Sequence, residues 1–397
     1  MSDADACVLV LNAGSSSLKF ALYDVGAGEP AQQARWRGKI GGIGSSSPVW
    51  TDNSDAAPVA LVLDAERPFR AALEEVRNRI PLHVKDGTLR GVAHRVVHGG
   101  SRYFAPTRVD QVVLDELRRL IPLAPLHQPS TLEGIESFFS SHPDVPQIAC
   151  FDTGFHHGMP MVEQLLPLPY DAWERGLRRY GFHGLSYEYQ SIALVRRHGD
   201  LARGRTLVAH IGSGASLCAM RNLRSVATTM GFSALDGLMM GTRCGSLDPG
   251  IVLSLLETGR FSTARLGQLL YKESGLLGVS GESSDPRLLL AIEDTNPRAR
   301  IALDLYVHRI VREIGALAAV LGGLDLLVFT AGIGEHNAII RERICSALGL
   351  FNIHLDAAAN ASHAAVISAA DSGSVVAIEP TDEEWVAALR AIELIRN

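Results

Sequence analysis

Two arginines stand beside glycine turns, Arg95 in HRVVHGG and Arg243 in GTRCG. A guanidinium grips a carboxylate or a phosphoryl group through paired N–H bonds, and two guanidiniums brought together are favourable only around an anion. Either arginine taken singly reads equally as a surface ion pair. Asp152 closes the apolar run PQIACFD and is followed by Thr153 and Gly154. A strand end running into a glycine turn is where open α/β sheets place ligands, with a strand-end cap as the structural alternative. Cations, a carboxylate and glycine turns suit phosphoryl transfer, which needs charge control and an in-line arrangement more than covalent help.

The elements that must position these groups begin at Cys7–Asp24, CVLVLNAGSSSLKFALYD. Val8 to Leu11 read as a buried strand, and Leu18, Phe20 and Leu22 alternate with Lys19, Ala21 and Tyr23 in a second one. A Gly/Ser turn between strands is a hairpin, not the glycine-to-helix turn of a P-loop or a dinucleotide fingerprint. It exposes N–H groups and hydroxyls with Lys19 close by, a concavity for an anion; an ordinary hairpin turn is the alternative. Leu207–Met220, LVAHIGSGASLCAM, aligns to Leu9–Leu22 without gaps and with five identities. A third glycine loop, Thr330–Glu335, follows the apolar strand Leu326–Phe329 and precedes a helical pattern over Ile339–Leu348. Two phosphate-sized hairpins and one strand–glycine–helix turn suggest a nucleotide held between duplicated halves.

At 397 residues, two domains are the prior. Hydrophobic content of 47% with 20% charged residues describes a globular protein, and a net charge of −6 argues against nonspecific nucleic-acid binding. MSDADA does not resemble a signal peptide, and no apolar stretch reaches membrane-spanning length. The five cysteines are scattered without a CxxC pair, which fits buried thiols in a reducing cytoplasm. His156 and His157 are adjacent and do not easily chelate one ion.

Along the chain, residues 26–58 read as short strands and turns at a sheet edge, Pro68–Ile80 as a helix and Gly91–Val97 as a strand. Asp110 is a plausible N-cap for a helix to Ile121, and Ser130 with Glu133 has capping-box spacing. The domain boundary falls at Asp152. Helices follow at Ser186–His198, Pro249–Glu257, Ser262–Tyr271, Pro286–Glu293 and Pro297–Leu321. The wide apolar face of the last suits a domain core or a subunit interface. Two short strands around Asp371–Gly373 and a helix from Thr381 close the chain.

NAGSSSLK, HRVVHGG, APLHQP, FDTGFHHGMP, RRYGFHG, MGTRCG, FTAGIGE and PTDEE occur in the order found in acetate kinases, and the chain resembles that family over essentially its whole length. The resemblance implies an α/β fold of two duplicated ribonuclease-H-like, actin-like ATPase domains with a cleft between them. The N-terminal domain would be 1–152, completed by the C-terminal helix 383–397, and the nucleotide-binding domain 153–382. It implies reversible phosphoryl transfer from ATP to acetate, giving acetyl phosphate and ADP, with Mg²⁺ or alternatively Mn²⁺. A cytoplasmic homodimer that engages neither nucleic acid nor membrane is the corresponding expectation.

By the same resemblance, Arg95, Asp152, His183 and Arg243 are catalytic. Acetate is already ionised at neutral pH, so Asp152 is assigned to positioning and electrostatics before general-base work. His183 would donate to a phosphoryl oxygen; alone in YGFHG it reads as a satisfied core histidine. Asn12 and Glu383 match metal positions, since Mg²⁺ takes hard oxygens and keeps several waters. Helix capping through Thr381 and Glu384 is compatible with that role for Glu383. Lys19, the loop His210, Ile211, Gly212, Ser213 and Gly214, the segment Asp285, Pro286 and Arg287, and the loop Gly332, Ile333, Gly334, Glu335 and His336 match nucleotide contacts. Asp285-Pro286 reads also as an N-cap with proline at the first helical position. Arg95, Val97, Leu126, Phe182 and Ala234 match the acyl-group site.

The sequence departs from the family pattern in places. HIGSG stands where HLGNG is usual, which weakens the assignment of that loop to nucleotide phosphates, and Ala227, Ser246 and His336 replace Asp, Asp and Asn. Ala234 replaces a proline of the acyl-pocket wall. A smaller residue there leaves room for an extra methylene, worth about 1–3 kcal/mol of discrimination. Propionate or butyrate kinase is therefore the alternative within the class, and a weakly active nucleotide-binding homologue the alternative outside it. A pure actin- or Hsp70-type switch would not require Arg95, Asp152, His183 and Arg243 together.

Overall fold

A computed structural model describes residues 6–14, 16–26, 28–54, 57–84, 88–125 and 127–396. The chain divides into two units, the first comprising Met1–Gly154, Gly184–Tyr189 and Asp382–Asn397, the second Phe155–His183 and Gln190–Thr381.

The first unit is built on strands β1 (Cys7–Ala13), β2 (Ser17–Asp24), β3 (Trp36–Gly41), β4 (Val49–Asp52), β5 (Val59–Ala60), β6 (Leu89–Val96), β7 (Thr107–Arg108) and β8 (Gln147–Phe151). They form one sheet in the order β5-β4-β3-β2-β1-β6-β8-β7. β1 to β5 are antiparallel neighbours, whereas β1, β6 and β8 run parallel. β1 is buried along its full length, as a strand covered on both faces must be. Trp36, Trp50 and Phe20 pack at tilted angles in the core beside helix Pro68–Val84. The helix Glu383–Arg396 packs on β1 and β6, and Gly91 admits it, since a Cβ there would lie 2.6 Å from Ile395.

The second unit repeats the pattern with β9 (Thr206–Ile211), β10 (Ala215–Arg221), β11 (Arg224–Thr228), β12 (Leu326–Thr330) and β13 (Val375–Ile378), ordered β11-β10-β9-β12-β13. Again the first three are antiparallel, and β9, β12 and β13 are parallel. The core β3-β2-β1-β6-β8 of one sheet and the whole of the other thus share one strand order. Helix Pro297–Leu321 buries ten residues here, among them Leu303, Ile310 and Ile314, so much of its apolar face is core.

Several local expectations change. The glycines after β12 lie in a short helix, Ala331–His336, whose first residue takes a left-handed φ of 65° and donates its N–H to Glu335 Oε1 at 2.7 Å. Helix Gln128–Ser141 starts two residues before Ser130, so the capping box falls inside its first turn. At the C-terminal helix Asp382 rather than Thr381 caps, accepting from the Trp385 N–H at 3.0 Å. Pro286–Leu290 stops short of Glu293. Of the two strands placed around Asp371–Gly373 only the second forms; before it lie isolated bridges at Ser368 and Val366.

The gap-free alignment of the two hairpins also needs correction. In the first, Ala13 pairs with Leu18; in the second, Ile211 pairs with Ala215, a turn one residue tighter. A one-residue shift exchanges the faces of a strand. Asn12 pairs with Lys19 and His210 with Ser216, so Ser216, not Leu217, is the counterpart of Lys19.

Candidate active site

In the first unit, β6 and β8 lie side by side, with Arg95 opposite Cys150, and this sets Arg95 next to Asp152. Arg95 Nε and Nη2 donate to the Asp152 carboxylate at 3.0 and 2.7 Å. Its Nη1 donates to Asn12 Oδ1 at 3.2 Å and lies 3.1 Å from Glu383 Oε2. The Asn12 amide is oriented by a second bond, Nδ2 to Glu384 Oε1 at 2.9 Å. Lys19 Nζ, half exposed, stands 3.9 Å from that same Glu384 oxygen. Asp152 is 1% exposed, and the Gly184 N–H donates to its backbone carbonyl.

Burial opposes the Arg95 charge, but Asp152 and Glu383 more than offset it and hold the guanidinium protonated. Burial likewise pushes the Asp152 carboxyl up, against the pull of Arg95. The bidentate pair keeps both groups ionised, because neutralising one leaves the other a lone buried charge.

The Asn12 amide oxygen and the Glu383 and Glu384 carboxylates are hard oxygen donors of the kind Mg²⁺ takes while keeping several waters. Among the described residues no group of three or more His, Cys, Asp and Glu side chains is arranged to hold a metal. The donor set fits a water-rich Mg²⁺ site, although Arg95 Nη1 lies against two of its oxygens.

In the second unit a second group assembles on β9 and β10. His183 adopts φ 59°, a left-handed conformation costly for a residue with a Cβ. It is held there by Ser216 Oγ at 2.8 Å from Nδ1 and by the His210 ring, stacked at 4.1 Å. Gly214 makes the close approach feasible: a Cβ there would stand 3.1 Å from His183 Nε2 and 3.7 Å from Arg243 Nη1. Arg243 Nη1 also donates to the Ala234 carbonyl at 3.0 Å. Ser246, where the family pattern has Asp, donates to Asp236.

The loop after β9 also meets the third glycine segment, as a Cβ on Gly212 would lie 3.5 Å from that of Ala331. Gly332 faces open space, Gly334 is buried, and Ile211 lies in the core. Glu335 ties back the helix N-terminus, and His336 is largely exposed beside it. Asp285 caps its helix by accepting from the Arg287 N–H and forks with the Arg287 guanidinium, which lowers the carboxyl pKa. Pro286 is the first helical residue, so the capping alternative is realised.

Of the acyl-group residues, Val97 and Phe182 are buried and Ala234 is half-buried; Leu126 lies outside the described residues. Sequence reasoning missed Ser216 and gave Glu384 only a capping role. The pairing of Ser216 with His210 across the hairpin was the available signal.

The repeated strand order fits a phosphotransferase built on two ribonuclease-H-like, actin-like units. The model of the acetokinase family matches residues 7–389. An acetate kinase of Rhodopseudomonas palustris is 49% identical over 98% of this chain and 97% of its own. Among solved structures, a Porphyromonas gingivalis acetate kinase aligns with TM-score 0.84 and 35% identity over 99% and 100% of the two chains. A Francisella tularensis propionate kinase aligns at 0.88 and 31% over 97% and 98%. The chain belongs to the acetokinase family, enzymes that transfer a phosphoryl group to a carboxylate.

Proposed function

We propose that the chain catalyses reversible, Mg²⁺-dependent transfer of the ATP γ-phosphoryl group to acetate, giving acetyl phosphate and ADP. The observation that carries this reading is the Arg95–Asp152 fork, with Nη1 turned to Asn12 and Glu383. Asp152 orients Arg95, which neutralises the acetate carboxylate; no base is needed for an acid already ionised. Arg243 and His183 donate to the phosphoryl oxygens as charge spreads over them in the loose transition state. Lys19 and the His210–Gly214, Asp285–Arg287 and Gly332–His336 segments hold the nucleotide. Asn12 and Glu383 would hold Mg²⁺, or Mn²⁺ in its place. When bound, the ion supplies positive charge at the phosphates.

We infer a cytoplasmic homodimer. Among the described residues no helix is long and apolar enough to cross a membrane. Helix Pro249–Glu257 is rich in Ile, Val and Leu yet buries none of its residues, leaving Ile251 and Leu253 about half exposed. A second copy would cover that patch.

Propionate is the second acceptor to consider, favoured by Ala234 and by the likeness to a propionate kinase. Trapping acyl phosphates as hydroxamates from ATP with acetate or propionate tests both. Acetyl hydroxamate at high efficiency supports the leading reading, and a higher efficiency with propionate replaces it. Background levels from both acids leave a weakly active nucleotide-binding homologue.

A further inference from the structure

The β10–β11 hairpin carries an arrangement that phosphoryl transfer does not use. Arg221 and Arg224 are directly paired across its turn, and like charges opposite each other in a sheet destabilise the pair. The two turn residues, Asn222 and Leu223, both have positive φ, 51° and 63°, a strained choice for leucine. The Asn222 N–H donates to the Arg203 carbonyl, which brings a third arginine to the same place. Among the described residues Arg203 meets a carboxylate only at 3.9 Å, in the fully exposed Asp200. The three arginines line a cavity of about 560 Å³ whose wall includes Ser225.

Ser225 leads inward from that cavity. Its Oγ lies 2.8 Å from His156 Nδ1, and His156 Nε2 lies 2.9 Å from the Phe182 carbonyl. A carbonyl only accepts, and His156 is buried and neutral, with a pKa pushed down to about 4. Nε2 therefore carries the proton, and Ser225 donates to Nδ1. The His156 ring also packs against Gly181, where a Cβ would come within 2.6 Å of it. A displacement of Ser225 thus reaches the backbone of Phe182, the residue before His183.

We propose that the cavity bounded by Arg203, Arg221 and Arg224 binds a small multiply charged anion, a phosphate monoester or a polycarboxylate, and that its occupation tunes turnover through Ser225, His156 and Phe182. The Arg221 guanidinium is already held by the Leu321 carbonyl, so bridging oxygens link Arg203 and Arg224, which gives the anion its driving force.

The test uses full-length protein with saturating ADP, titrated calorimetrically with 3-phosphoglycerate and with citrate, the two arms separating the two sources of charge. The wild type is expected to bind one of them, with affinity reduced at least tenfold in Arg203→Ala/Arg224→Ala while basal kcat is unchanged. No binding by the wild type, or equal affinity in the variant, overturns the site. With ATP and acetate saturating, the bound anion is expected to change the kcat of the wild type but not of Ser225→Ala, which still binds it. Binding without a kcat change in the wild type, or an unaltered effect in Ser225→Ala, overturns the coupling.

Discussion

The first and second hairpins have related sequences and equivalent places in their sheets, yet they present opposite chemistry. Next to the first turn, Asn12 and Lys19 face each other within a charged set of Arg95, Glu383 and Glu384. At the same step of the second, His210 and Ser216 face each other and both grip His183. The backbone gives each pair one location, and side-chain type decides its work. Charged residues build an ion-pair network in the first, while neutral ones fix the His183 ring in the second.

The contrast can be broken most forcefully at Arg95. Arg95→Ala is expected to lower kcat by a factor of about 10²–10³ and stability by about 3–5 kcal/mol, because Asp152 is left a lone buried charge. Arg95→Ala/Asp152→Ala should recover most of the stability and none of the turnover. Urea unfolding beside steady-state kinetics checks both; a double variant as unstable as the single one refutes the charge argument.

A pH experiment compares a buried histidine in each unit, His94 and His156. Burial pushes both to a pKa of about 4, from an ordinary value near 6.5. As pH falls below 6.5 the unfolded chain takes up these protons first, so stability is full above 6.5 and declines down to about 4, by up to about 3 kcal/mol for each group. Chemical denaturation at pH 7.5 and 5 should show the loss, and His94→Gln should lessen it. A pH-independent midpoint in the wild type contradicts the assignment.

The hairpins themselves separate by kinetic signature. Ser216→Ala should lower kcat about tenfold with little change in KM, since it frees the His183 ring at the cost of one hydrogen bond. Lys19→Ala should instead raise KM for ATP with kcat nearly kept. The smallest effect is expected at Ala234→Pro, a few-fold shift of kcat/KM from propionate toward acetate. A reversed pattern at Ser216 and Lys19 would dissolve the division of labour.

Much of this was legible in the sequence because strand and turn signals are local. The hairpin Cys7–Asp24, the second hairpin, helix Pro297–Leu321 and the Asp110 cap follow from periodicity and composition. What was not legible depends on pairing or on unusual dihedrals. One residue fewer in the second turn makes Ser216 the partner of His210, which an alignment by identity hides. The short helix Ala331–His336 opens on a left-handed Ala331, and nothing in an alanine announces a positive φ. Glu384 was read as a cap because its neighbour Asp382 was not recognised as the better one. The arginines of the β10–β11 turn were silent for the same reason: their opposition exists only once the strands are paired.

The most direct test of the central claim is a double-mutant cycle on acetyl phosphate formation, comparing Arg95→Ala, Arg243→Ala and the combination. If both guanidiniums serve one phosphoryl transfer, each single loss is large and the combined loss falls far short of their product. Independent, multiplying losses, or near-normal turnover in either single variant, would contradict it.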